Sequence, residues 1–161
     1  EEHNLPNQWY RSRDQGRRKV DALAEIILDF TDVTLTAHPH HYTHENLTGI
    51  VICCVDTMDT RLLLWREVKK FKPELYIDAR MGAEVGKIHV VHPADLASRR
   101  RYEEDLYPSS EALHAPCTAK ATVYCAAGLG AYIADIVAGH ALGRALRSFV
   151  VDWTQVRCDA L

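Results

Sequence analysis

Apolar positions along the chain change between helical and strand spacing, and these changes predict the order of the elements. An amphipathic helix is predicted over 17–30, where apolar side chains recur every three or four residues. Apolar residues alternate with threonines over 33–37, which is typical of a strand. The continuous apolar run over 50–55 predicts a central strand of a parallel sheet.

The rest of the chain shows the same change of pattern. In chain order it predicts a helix over 59–70, strands over 75–81 and 87–93, an aperiodic loop over 94–116, a helix over 118–146, and a strand over 148–153 followed by a polar tail. We therefore expect a single α/β domain over 1–161 with a doubly wound sheet, mostly parallel, whose later strands are antiparallel.

Composition and charge exclude some classes of protein. With 161 residues, of which 47% are hydrophobic and 25% charged, the chain is expected to fold and not to remain disordered. A net charge of -3 gives no reason to expect a nucleic-acid partner. The apolar stretch over 121–143 contains Asp135 and His140, so we expect a buried helix there and not a membrane span.

The cysteines and histidines indicate a reducing compartment and no standard zinc site. Five cysteines are an odd number and form no CxxC pair, which argues against a disulfide framework and a zinc knuckle. No signal peptide is recognised, so the expected location is the cytoplasm. Four histidines between His38 and His44 lack the spacing of a zinc site and are interpreted as a polar connection. The run Arg99–Arg101 precedes three acids, which is typical of a solvated loop or a protein-docking element.

A glycine-rich phosphate loop is missing from the sequence. A dinucleotide-binding fold opens with a strand and a GxGxxG turn, and no such motif occurs. Gly128 and Gly130 lie inside a helical pattern and do not replace it. We therefore expect the later half of a doubly wound domain, with the glycine-loop half supplied by an upstream segment or another chain. The same absence argues against a plain dinucleotide-binding oxidoreductase.

Five short motifs occur in an order that resembles a known family. They are N-L-P-N-Q over 4–8, D-Q-G-R-R-K-V over 14–20, C-V-D followed by an arginine over 54–61, D-A-R-M-G over 78–82, and P-C-T over 116–118. Together they resemble the motifs of the ThiF/MoeB/HesA adenylating enzymes, relatives of ubiquitin-activating enzymes. The resemblance covers nearly the whole chain. It implies a Rossmann-like fold, of which this chain is the C-terminal portion.

The resemblance also implies a reaction and its partners. The family uses ATP and magnesium to join AMP to the C-terminus of a small ubiquitin-like or sulfur-carrier protein. The expected later steps are formation of a thioester on Cys117 and transfer of the carrier to a conjugating-enzyme-like acceptor. A homodimer is expected, and the motif variants look closest to bacterial members linked to ubiquitin-like conjugation.

Lys19 and Asp56 are the candidate phosphate and metal residues. Lys19 opens a predicted helix, where backbone N–H groups favour an anion. Asp56 follows the most hydrophobic strand, and a carboxylate there suits magnesium bound to a triphosphate. The alternatives are that Lys19 is an ordinary surface lysine and that Asp56 caps the next helix.

Asn4, Gln8 and Cys117 complete the candidate set. Asn4 and Gln8 are expected to bind the nucleotide, or else to structure their loop. Cys117 lies next to a predicted helix start, which would lower its pKa and favour a nucleophilic thiolate; the alternative is a structural cysteine. Asn7 stands where the family has an arginine associated with the ATP phosphates. That departure favours a rival hypothesis, a non-catalytic scaffold that completes a catalytic partner.

Overall fold

The structure is a computed structural model that describes residues 8–111 and 123–161. These residues divide into two units, one within Glu1–Glu45 and one within Asn46–Leu161. The first unit contains a 3-10 turn, Ser12–Asp14, and helix α1, Lys19–Thr31, which confirms the helix predicted over 17–30. The strand predicted over 33–37 is wrong, since that segment pairs with none of the described strands and is mostly exposed. Alternating residues form a strand only where a neighbouring backbone completes their hydrogen bonds.

A buried carboxylate organises the turn that leads into α1. Asp14 is 5% exposed and accepts a hydrogen bond of 2.9 Å from Nε of Arg11 and one of 2.9 Å from Nη1 of Arg17. The Arg11 hydrogen bond, reinforced by the charges of both arginines, lowers the pKa of Asp14 to about 2. Gly16 then takes a φ of 82°, which favours glycine, and the helix begins at Lys19. The D-x-G-x-x-K segment is therefore an ion-paired turn that places Lys19 at a helix start.

The second unit is an open mixed sheet with helices on both faces. Its elements, in chain order, are β1 (Ile50–Cys53), α2 (Met58–Phe71), β2 (Leu75–Gly82), β3 (Val85–Val91), α3 (Leu96–Glu103), a 3-10 turn (Ser109–Glu111), α4 (Val123–Ala141), β4 (Phe149–Asp152) and β5 (Arg157–Ala160). The strands pair in sequence order; β1 and β2 are parallel, and the other three pairs are antiparallel.

The pairing confirms an α/β sheet with antiparallel later strands and corrects two details. The described sheet is not mostly parallel, because a two-residue connection joins β2 to β3 and such a hairpin permits only antiparallel pairing. Among the described strands β1 is not central, since it lies at one end of the sheet and pairs only with β2. Ile52 in β1 is accordingly 47% exposed.

Two elements lie where none was predicted, and α4 ends early. Helix α3 lies within the expected loop over 94–116, and β5 lies within the expected polar tail. Helix α4 was expected to reach residue 146 but ends at Ala141, because Gly143 takes a φ of 66° just beyond it. By length and composition, α4 is long and apolar enough to cross a membrane. Its buried residues are Cys125, Leu129, Ile136 and Gly139.

Each face of the sheet has its own core. The face towards α4 is apolar, and its buried cluster is Leu75, Ile77, Ile88, Val90, Leu129 and Ile136. The face towards α2 and α3 is aromatic: the ring of Tyr102 lies 4.6 Å from that of Trp65 and 5.5 Å from that of Tyr76. The polar side chains described below lie on this second face.

Close packing of α4 against Trp153 requires a glycine at position 128. A Cβ at Gly128 would lie 2.7 Å from Cζ2 of Trp153, whereas a Cβ at Gly130 would meet nothing within 4 Å. We expect Gly128→Ala to lower the free energy of unfolding by about 1–3 kcal/mol, because the indole must move. Urea unfolding followed by circular dichroism measures this change.

Gly130→Ala is the matched control in the same helix. Gly130 is exposed within the single chain, so at a protein concentration low enough for the monomer alanine should raise the free energy of unfolding by about 0.5–1 kcal/mol through its higher helix propensity. Equal effects of the two substitutions would contradict the packing described for Trp153.

Candidate functional site

Asp56 lies in the loop that follows the carboxyl end of β1. The next helix, α2, is capped by Thr57, whose Oγ1 accepts a hydrogen bond from the backbone N–H of Thr60 at 3.3 Å. The alternative role of Asp56 as the helix cap is therefore filled by its neighbour. Asp56 is exposed and makes no hydrogen bond or ion pair with any residue that the structure describes.

Arg61 ties the Asp56 loop to the sheet. Its Nη2 donates a hydrogen bond of 2.6 Å to the carbonyl oxygen of Val55, and its Nε donates one of 2.7 Å to Oδ1 of Asp78. Burial alone would lower the pKa of Arg61, but the charge of Asp78 and their hydrogen bond raise it above the ordinary value. The guanidinium therefore remains charged and holds the backbone on the N-terminal side of Asp56.

Asp78 is the fully buried acceptor at the centre of the aromatic face. Besides Arg61, it accepts a hydrogen bond of 2.8 Å from Nε of Arg80 and one of 2.9 Å from the hydroxyl of Tyr102. Burial, together with the charge of Asp78, raises the pKa of Tyr102, so that the hydroxyl stays protonated and donates. Three donors thus compensate one buried carboxylate.

A second carboxylate, Asp105, joins three basic side chains. It accepts hydrogen bonds of 2.9 Å from Nη1 of Arg80 and 3.0 Å from Nζ of Lys87, and Nε2 of His89 lies 2.7 Å from its Oδ2. Partial burial alone would raise the pKa of Asp105, but the hydrogen bond from Lys87 and the charge of Arg80 bring it below the ordinary value. Burial and the nearby charge of Arg80 lower the pKa of His89.

Some of these residues line a cleft of about 800 Å³ at the end of β1, whereas Asp78, His89 and Tyr102 are not part of its lining. Its charged lining consists of Asp56, Arg61, Arg80, Lys87 and Asp105, and its apolar lining includes Val55, Met81 and Val85. A cleft of this size that combines an apolar surface with a few convergent charges is typical of a small-ligand site.

The charges suit an anionic ligand accompanied by a divalent cation. Guanidinium and ammonium groups recognise phosphates and carboxylates. Among residues 8–111 and 123–161, no three His, Cys, Asp or Glu side chains are grouped to hold a metal ion. Asp56 by itself fits magnesium, which is commonly held by one or two carboxylates together with substrate phosphates.

The predicted site residues divide among three parts of the chain. Lys19 and Gln8 lie in the first unit: Lys19 is exposed at the first position of α1, as predicted, and Gln8 is partly buried. Asp56 lies in the cleft of the second unit. Asn4 and Cys117 lie outside the described residues, so their proposed roles remain predictions.

Four polar residues on two neighbouring strands were not predicted as site residues, although Asp78 and Arg80 belong to one of the quoted motifs. Asp78 lies opposite His89, and Arg80 lies opposite Lys87, in the antiparallel register of β2 and β3. Asp78 and Arg80 share one face of β2, and Lys87 and His89 share one face of β3, because residues two positions apart in a strand point to the same side. Polar residues at alternate positions of two consecutive apolar strands were the available signal, and antiparallel pairing brings them together.

Comparison with known proteins supports the fold. No family model and no curated protein matches the chain. A crystal structure of selenomethionine PaaA is similar, with a TM-score of 0.69 over the whole of this chain and 12% sequence identity. The chain spans 60% of the length of PaaA. At this level of identity the similarity concerns the fold.

Proposed function

We propose that the chain is the later half of a Rossmann-like adenylation domain of the ThiF/MoeB/HesA type. With ATP and magnesium it would activate the C-terminus of a small ubiquitin-like or sulfur-carrier protein. The observation that carries the proposal is the carboxylate of Asp56, which has no partner among the described residues and lines a cleft with Arg80 and Lys87. The motif resemblance supplies the reaction type.

The reaction requires one bond to form and one to break at phosphorus. A carboxylate oxygen of the carrier protein forms a bond to the α-phosphorus, and the bond from that phosphorus to the bridging oxygen of pyrophosphate breaks. Magnesium, when bound, stabilises the charge on the phosphate oxygens. Asp56 would hold the metal, Arg61 would position the Asp56 loop, and Lys19 would contact the phosphates at the start of α1.

Pyrophosphate exchange tests this function. The full-length protein should exchange labelled pyrophosphate into ATP only when a carrier protein is present, and EDTA should stop the exchange. A scaffold without catalytic activity, the rival favoured by Asn7, would bind the carrier and give no exchange. Exchange that is independent of the carrier would also contradict the proposal.

A thioester on Cys117 is the proposed second step. Burial raises the pKa of Cys53, which disfavours that thiol as the nucleophile. The Cys117 sulfur would attack the carboxyl carbon of the acyl-adenylate, and AMP would leave. We expect Cys117→Ala to abolish a thiol-reducible conjugate with the carrier, detected by mass, and to leave pyrophosphate exchange largely intact.

Cys158→Ala is the control, because this exposed cysteine lies in β5. It should retain the conjugate. Conjugate that persists in Cys117→Ala would assign the nucleophile to another cysteine, and an adenylated carrier without any conjugate in the wild type would end the chemistry at adenylation.

We also propose that the protein forms a homodimer through α4. A conjugating-enzyme-like protein is the proposed acceptor of the activated carrier. The support for the dimer is the row of exposed small residues on α4, which leaves helical backbone poorly covered; its members are Ala127, Gly130, Ala131, Ala134 and Ala138. A second copy packed there would bury this face.

A further inference from the structure

Asp105 occupies a position suited to an external anion. Its two carboxylate oxygens are 3.0 Å from Nζ of Lys87, and Arg80 and His89 bond the same carboxylate. The residue follows the end of α3 and its side chain is 31% exposed, whereas Asp78 is fully buried. Asp105 is therefore the more exposed carboxylate of the network, and Arg80 keeps its hydrogen bond to Asp78 when Asp105 leaves.

Positive charge exceeds negative charge within this hydrogen-bonded network. Within residues 8–111 and 123–161, Arg61, Arg80 and Lys87 bond two carboxylates, Asp78 and Asp105. Nη2 of Arg80 is buried and has no hydrogen-bond partner within the part of the chain that the structure describes. This donor, together with the half-buried ammonium of Lys87, leaves capacity for one more anionic oxygen.

We propose that Arg80 and Lys87 form an oxyanion-binding site whose internal occupant is Asp105. An incoming phosphate or carboxylate binds the two cations and displaces the Asp105 side chain towards solvent. The inference rests on the proposed function for the source of the anion, which is either a phosphate of the nucleotide or the C-terminal carboxylate of the carrier. The planar carboxylate group and the tetrahedral phosphate group both present anionic oxygens that these cations bind.

An internal competitor has a measurable consequence. The ligand binds only molecules in which Asp105 has left the cations, so its apparent affinity is reduced by the fraction of molecules in that state. Removing the charge of Asp105 should therefore strengthen binding, and removing Lys87 should weaken it. A purely structural role for Asp105 predicts no gain in affinity.

The experiment titrates the full-length protein with two probes, inorganic pyrophosphate and N-acetylglycylglycine, by calorimetry in EDTA. We expect Lys87→Gln to raise the dissociation constant about tenfold and Asp105→Asn to lower it about tenfold, the effect of one charged hydrogen bond. Lys70→Gln and Asp159→Asn change charge equally on exposed side chains outside the cleft. They should leave both constants unchanged, and circular dichroism checks that every variant is folded.

Each outcome decides the inference. A response of either probe to both variants supports it, and the probe that responds identifies the nucleotide or the carrier as the source of the anion. An unchanged constant in Lys87→Gln, or no gain in Asp105→Asn, overturns it. If both variants respond as expected but the wild-type protein gives no pyrophosphate exchange, the anion site is supported and adenylation is refuted. If the wild-type protein gives exchange but the variants do not respond, adenylation is supported and the anion site is refuted.

Discussion

Substituting Asp56 by alanine should lower carrier-driven pyrophosphate exchange by at least about 10²-fold, the scale of losing one electrostatic contact to the reacting group. Asp56 is the carboxylate of the cleft that no described residue engages, so its removal takes away the proposed metal ligand. The fold should persist, because Thr57 and not Asp56 caps α2. The measurement is the exchange rate at saturating carrier, repeated over a range of magnesium concentrations.

Asp159→Ala is the control for the Asp56 substitution. Asp159 pairs with Arg157 on the exposed strand β5, away from the residues that line the cleft. It should exchange at the wild-type rate. Full exchange in Asp56→Ala, with its circular dichroism unchanged, would remove Asp56 from the site.

Substituting Asp78 by alanine should have the largest effect on stability. The change leaves the guanidiniums of Arg61 and Arg80 and the hydroxyl of Tyr102 without their common acceptor in a buried position. Removing one partner of a buried ion pair costs about 3–5 kcal/mol. We therefore expect the second unit of the variant to unfold at a much lower urea concentration than in the wild type. Circular dichroism monitors this unfolding.

The same exposed Asp159→Ala variant sets the scale for a surface ion pair. Its side chain is 52% exposed, so its loss should cost no more than about 1 kcal/mol. If Asp78→Ala unfolded at the same urea concentration as Asp159→Ala, the network around Asp78 would be energetically unimportant. Asp78→Asn keeps the side-chain volume, so it should unfold at a urea concentration between those of Asp78→Ala and Asp159→Ala.

Hydrophobic pattern predicted the elements whose apolar residues recur with a regular period and missed those without one. Helices α1 and α2 and strands β1 to β4 lie close to their predicted positions, because their apolar residues recur with the correct period. In α3 the buried residues are Ser98 and Tyr102, so no apolar period marks the helix; its signal was the cap at Asp95. All four residues of β5 are exposed, and backbone pairing with β4 supplies its order.

The candidate site was predictable only where one residue carried the signal. Asp56 follows a strongly apolar strand, and that local feature located it in the cleft. The network of Asp78, Arg80, Lys87 and Asp105 depends on the register between β2 and β3 and on the position of the loop after α3. Such contacts are set by tertiary packing, which local spacing does not encode.

The bond that is broken in ATP tests the central claim most directly. The full-length protein is incubated with ATP, magnesium and a carrier protein, and the carrier is then analysed by mass spectrometry. We expect AMP joined to its C-terminal carboxylate, with release of pyrophosphate. An unmodified carrier, or one that bears a single phosphate with release of ADP, would contradict adenylation.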